Sequence, residues 1–202
     1  MRVSEPECIV SMMNPILELP EVRSRAVPLS VATYEWMTAK GLVARRTELI
    51  HGIVVEKMSK SPLHAQITDR LFKLIFLAVG ETAWVRSEAP VVLLDSVPEP
   101  DVSVVAGQDS DYTAKHPRGA KLVVEVAVSS EALDREMASA YAAGGVEEYW
   151  LVLAKSRTVE CYSGPVSGVY QTVRRFAAAD RVEAVALRDV GVDLAKVFPS
   201  LG

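Results

Sequence analysis

The sequence predicts an α/β domain built on a mixed β-sheet, and three observations predict it. Residues 122–128 read Leu-Val-Val-Glu-Val-Ala-Val, a nearly unbroken apolar run of the kind found in strands covered on both faces. Residues 63–79 place apolar side chains at helical spacing, as on one buried helix face. Short strand-like and helix-like runs then follow one another in the order αββα–βββ–β–α–β–ββ.

The elements follow in order. Residues 1–27, rich in proline and charge, form an arm, and residues 28–202 a single domain. Ser30 caps a helix that runs to Lys40 and stops at Gly41. Residues 46–50 and 53–57 are two strands around His51-Gly52, a hairpin signal. Ser61-Pro62 opens the clearest helix, since proline suits a first turn. Its apolar positions are Leu63, Ile67, Leu71, Leu74, Ile75 and either Leu77 or Val79, and Gly80 ends it. Residues 84–87, 91–94, 102–106 and 122–128 are strands, with Pro98 and Pro100 holding the chain extended into Asp101. Ser129 or Ser130 caps a helix over 131–143, closed by Gly144-Gly145. A strand at 148–154 and a hairpin of 157–163 with 169–176 follow, and the tail to Gly202 is weakly patterned.

Half of the 202 residues are apolar and 24% are charged, which excludes a mostly disordered chain. With 22 basic against 26 acidic residues the net charge is −4. That excludes a strongly basic nucleic-acid coat and leaves a local basic groove open. Cys8 and Cys161 cannot make a disulfide framework and suit a reducing compartment, so a cytoplasmic location is expected. No apolar run reaches the roughly 18–20 residues of a membrane helix. Met13 is an alternative start.

Three acids stand out. Glu125 lies inside an apolar strand, where an unpaired carboxylate costs several kcal/mol unless a partner or a metal satisfies it. An arginine or backbone donors could equally do so. Asp101 follows Pro-Glu-Pro, whose rigid backbone fixes where its side chain points, although Pro-Asp also marks ordinary turns. Glu48 precedes the hairpin and would pass alone as a solvated strand residue. Together they offer hard oxygen ligands suited to Mg²⁺ or Mn²⁺.

The segments Thr-Glu-Leu-Ile-His-Gly, Ser-Pro-Leu-His-Ala-Gln-Ile, Pro-Glu-Pro-Asp-Val-Ser-Val-Val, Leu-Val-Val-Glu-Val-Ala-Val-Ser-Ser and Tyr-Ala-Ala-Gly-Gly-Val-Glu-Glu-Tyr-Trp-Leu-Val occur in this order between about residues 28 and 165. Each is weak alone; the ordered set resembles the Uma-two family of restriction-endonuclease-like proteins with the PD-(D/E)XK nuclease fold. The resemblance implies a restriction-endonuclease-like core, a mixed sheet flanked by helices. Asp101 would match the motif aspartate, Glu125 the second acid and Glu48 the acid that completes a Mg²⁺ or Mn²⁺ site. It implies hydrolysis of DNA phosphodiester bonds by a Mg²⁺-dependent endonuclease, and a homodimer is a reasonable expectation from such folds. His64 and Asp134 are possible auxiliaries.

The chain departs from the pattern at its lysine. The place two residues after Glu125 holds Ala127, and the place on the next helix holds Met137, a thioether without charge. Asp134 or Arg135 could partly compensate and Lys57 is another substitute, whereas Lys121 shares the strand face of Glu125 but lies about 13 Å away along it. Other residues take plain roles. Tyr141, Tyr149 and Trp150 read as core packing under the sheet, Trp36 and Trp84 as core or interface, Gln66 as solvated helix, and Arg45-Arg46 and Arg174-Arg175 as solvated surface in preference to a phosphate path. Three functions therefore stand: a metal-dependent nuclease, a catalytically degenerate binding module, and a ligand-free structural protein if an arginine neutralises Glu125.

Overall fold

The structure, a computed structural model, describes residues 19–199. Much of the arm, with Cys8 and Met13, lies outside the described residues; within it, Pro20–Arg23 forms a single helical turn, α1. Ser30 accepts the Thr33 N–H and starts α2 (Val31–Ala39), as its capping chemistry requires. The hairpin β1 (Thr47–Ile50) and β2 (Ile53–Glu56) turns at His51 and Gly52, with φ of 47° and 74°. Two left-handed residues in succession are what a tight two-residue turn demands.

Ser61 accepts the His64 N–H and opens α3 (Pro62–Val79). Its buried stripe is Ile67, Thr68, Leu71, Ile75 and Val79. Val79 completes that face, and Leu77 points outward. The six-stranded sheet has the order β3 (Trp84–Ser87), β4 (Val102–Val105), β5 (Leu122–Ala127), β6 (Glu148–Leu153), β7 (Thr158–Val166) and β8 (Val169–Ala177). All neighbours are antiparallel except β5 and β6, which are parallel and joined through α4 (Glu131–Ala143). Parallel neighbours need such a crossover. β9 (Arg181–Glu183) and β10 (Gly191–Asp193) form a separate hairpin.

The two sheet faces bury separate cores. Leu122, Val124 and Val126 of β5 meet α3 and the C-terminal segment, while Val123 and Ala127 meet α4. Glu125 shares the α4 face. The expected strand at 91–94 is absent. Val91, Val92 and Leu93 are buried in a loop whose backbone bonds go to Pro98, Pro117 and Ser96, leaving only a lone bridge from Val92 to Arg118. The flanking prolines, which cannot donate to a ladder, explain the difference. Ser130 precedes α4 without accepting a cap bond; its hydroxyl donates to Asp134 instead. Trp36 is 55% exposed and so is not part of the core, whereas Tyr141, Tyr149 and Trp150 are fully buried. Among the described residues, no helix is long and apolar enough to cross a membrane.

Candidate functional site

Strand register builds the site. Val102 pairs with Val124 across the antiparallel β4–β5 ladder, so Asp101 and Glu125 become neighbours although 24 residues separate them. The two acids interlock through the backbone. The Asp101 N–H donates to Glu125 Oε2 at 3.2 Å, and the Val126 N–H donates to Asp101 Oδ2 at 2.8 Å. From α4, the Tyr141 hydroxyl donates to Glu125 Oε1 at 2.6 Å. From α3, His64 Nε2 lies 3.0 Å from Asp101 Oδ2. Lys60, just ahead of the Ser61 cap, places Nζ 2.7 Å from Asp101 Oδ1.

The β1–β2 hairpin brings the third acid. Val97 N–H bonds to the Leu49 carbonyl, and the Glu99 N–H donates to Glu48 Oε1 at 2.7 Å. Glu99 itself pairs with Lys57. Glu48, His64, Asp101, Glu125 and Asp134 all line one cavity of about 690 Å³, with Arg45, Arg46, Lys57 and Lys60 among the other lining residues. The residues singled out from the sequence thus share one cavity. Met137 is buried and does not line it, and Ala127 is buried beneath α4. Lys121 pairs with Glu147 and Arg135 with Glu160, so neither replaces the missing lysine.

Electrostatics divides the acids. Burial would raise the pKa of Asp101, but the hydrogen bond and charge of His64, with Lys60, outweigh it and hold the carboxyl below its ordinary value. Burial pushes Glu125 well above the usual carboxylate range, and the negative charge of Asp101 pushes the same way against the Tyr141 bond. Burial also raises Glu48 and Asp134. Among the described residues Glu125 pairs with no arginine; its partners are Tyr141 and the Asp101 N–H. An ionised Asp101 beside a Glu125 that resists ionisation is a pairing in which a cation would relieve the repulsion.

In kind these side chains fit a divalent ion, since carboxylate oxygens are the donors Mg²⁺ and Mn²⁺ take. In arrangement they do not converge: among the described residues, no three His, Cys, Asp or Glu side chains are grouped as a metal ion requires. Sequence reasoning missed Lys60, Glu88 and Glu99, which touch or flank the acids. A lysine in Met-Ser-Lys-Ser-Pro carries no local sign of a partner 41 residues away.

The mixed sheet with α4 bridging its parallel pair is a fold found in a protein of known structure. A crystal structure described as "a putative nuclease belonging to DUF820", from Anabaena variabilis ATCC 29413, is similar to it. The TM-score is 0.70 at 16% identity, covering 85% of this chain and 98% of that one. The chain belongs to the Uma2 family, described as "Putative restriction endonuclease", whose model matches residues 43–195. No curated protein matches significantly.

Proposed function

We propose that the cavity hydrolyses DNA phosphodiester bonds with a bound Mg²⁺ or Mn²⁺. The supporting observation is the interlocked pair, Asp101 and Glu125, at the base of an open cavity that Glu48 also lines. Asp101 and Glu125 are the neighbouring donors, Glu48 would have to move toward them to complete the set, and the ion would supply Lewis-acid polarisation and an acidified water when bound. Tyr141 orients Glu125, and the Val126 N–H together with His64 orients Asp101. Asp134 extends the acidic lining from α4. Arg45 and Arg46, exposed in the lining, supply positive charge for a phosphate backbone in a chain that is otherwise acidic.

The test is conversion of supercoiled plasmid to nicked or linear form with Mg²⁺ or Mn²⁺. Asp101→Ala is expected to slow it by about a hundredfold or more, the scale of losing a group that organises developing charge. Cleavage at an unchanged rate in that variant would remove the proposal.

A second reading, a noncatalytic binding module, is favoured by the burial of Ala127 and Met137 where a lysine would serve. Met137 stands one helical turn from both Asp134 and Tyr141 on α4, so Met137→Lys would put an ammonium close to Glu125. Inert wild type and an active Met137→Lys protein would decide for it.

A further inference from the structure

The two oxygens of Asp101 are met differently. Oδ2 accepts the Val126 N–H at 2.8 Å and faces His64 Nε2 at 3.0 Å. Oδ1 is met, among the described residues, by Lys60 Nζ alone, at 2.7 Å. Lys60 also reaches Glu88 Oε1 at 2.9 Å, so its ammonium stands between two carboxylates. They differ in environment: the Asp101 side chain is 6% exposed and that of Glu88 54%. The placement is built into the backbone on both sides. Lys60 adjoins the Ser61 cap of α3. Glu88 holds φ at 50°, a left-handed conformation uncommon outside glycine, with its N–H on the carbonyls of Pro100 and Asp101.

We propose that the Lys60 ammonium is the resident cation of this cavity. It takes the place on Asp101 Oδ1 that a divalent ion would take, so the two exclude each other there, and Glu88 keeps the ammonium when the ion enters. Among the described residues no three potential metal ligands are grouped, and the cation that meets Asp101 Oδ1 is one the chain itself supplies. The proposal rests on the nuclease reading only for the class of ion. An ammonium and a divalent ion on one oxygen repel strongly in a partly buried site. Lysine is suited to the exchange, being a point charge on a flexible four-carbon stem. Glu88 is already in contact and half exposed, so release leaves no ion stranded.

The experiment titrates Mn²⁺ into the metal-free full chain by calorimetry, comparing wild type with Lys60→Met, Glu88→Gln and Asp101→Asn. Lys60→Met is expected to bind Mn²⁺ at least about tenfold more tightly, because a competing unit charge has gone. Glu88→Gln, which removes the ammonium's second place, is expected to bind more weakly than wild type, and Asp101→Asn to lose the binding. Melting curves give a second readout: Mn²⁺ should raise the melting temperature of Lys60→Met by more than that of wild type. Equal or weaker binding by Lys60→Met, or no binding by either protein, overturns the proposal. DNA cleavage is scored separately. A chain that cuts DNA while Lys60→Met binds Mn²⁺ no better keeps the nuclease and loses the resident lysine. Tighter binding without cleavage does the reverse.

Discussion

Burial of an acid does not by itself mark a site, and three carboxylates of this chain show why. Glu148 is fully buried, yet it accepts the Trp150 indole N–H and the backbone N–H groups of Val185 and Ala186 at 2.6–2.9 Å. Glu160 is met by Arg135, Arg175 and Tyr162. Both are structural. Glu148→Ala strands three donors, and a loss of roughly 3 kcal/mol or more is expected in urea unfolding. Among the described residues Glu125 meets no cation, and burial, with its negative neighbours, holds its pKa up. Below the ordinary carboxylate range both folded and unfolded chains carry its proton, so it has no effect on stability there. As the pH rises the unfolded chain ionises first, and the folded state is penalised until its own raised pKa is passed. Glu125→Gln should therefore melt higher than wild type in metal-free buffer at pH 8, with the advantage gone at pH 4. A variant that melts lower at both would show that Glu125 is well satisfied as it stands. Asp101 runs oppositely: its lowered pKa contributes stability above the ordinary range, lost on acidification through the folded value.

At the scale of elements, the β1–β2 hairpin matters because it carries Glu48 to the cavity without belonging to the main sheet. Its turn is fastened from outside. The Gly52 N–H bonds to the Asp95 carbonyl, the Leu29 N–H bonds to the Gly52 carbonyl, and His51 Nδ1 lies 2.9 Å from Asp95 Oδ2. Gly52 combines a φ of 74° with a close approach: a Cβ there would stand 2.3 Å from Pro28 Cβ. Gly52→Ala is expected to cost at least about 1–2 kcal/mol from the left-handed backbone alone. Because the strain falls on the element that holds Glu48, cleavage should drop further than the loss of folded protein measured by circular dichroism. If activity simply tracks the folded fraction, the hairpin has no positional role. Residues 91–94, just ahead of Asp95, read as a strand and are not one. Val91, Val92 and Leu93 are apolar because they cover buried cores, while Leu94 is exposed, and the backbone bonds of the three are spent within the loop and on the segment at Pro117.

For the whole molecule, what was legible followed from local rules. The continuous apolar runs of β5 and β6, the periodic face of α3, the Ser30 and Ser61 caps and the His51-Gly52 turn are each readable from a few neighbouring residues. The acids could be singled out because one interrupts a buried strand and another follows two prolines. Lys60 was not legible, since its partners lie 28 and 41 residues away and nothing nearby announces them. Tyr141 was legible as core but not as the donor to Glu125, because its hydroxyl alone departs from the packing rule. The C-terminal tail was missed for the same reason on a larger scale. Its apolar residues are spaced without helix or strand period, yet Val182, Val190, Val192, Leu194, Val197 and Phe198 are all buried in the α3 core. Arg70 Nη1 and the Val197 carbonyl add a bond from α3 to that segment. The tail is thus the second wall of a core whose first wall is α3, the helix that delivers His64. Ending the chain after Asp180 should expose the buried stripe of Ile67, Leu71 and Ile75, a loss too large for the rest of the domain to bear. The shortened protein is expected to lose cooperative thermal unfolding and to bind a hydrophobic dye. Phe198→Ala, a gentler probe, should cost about 3–5 kcal/mol. A shortened chain with an intact melting transition would mean that the sheet and α3 form a domain without the tail, and that His64 is held in place from the sheet side alone.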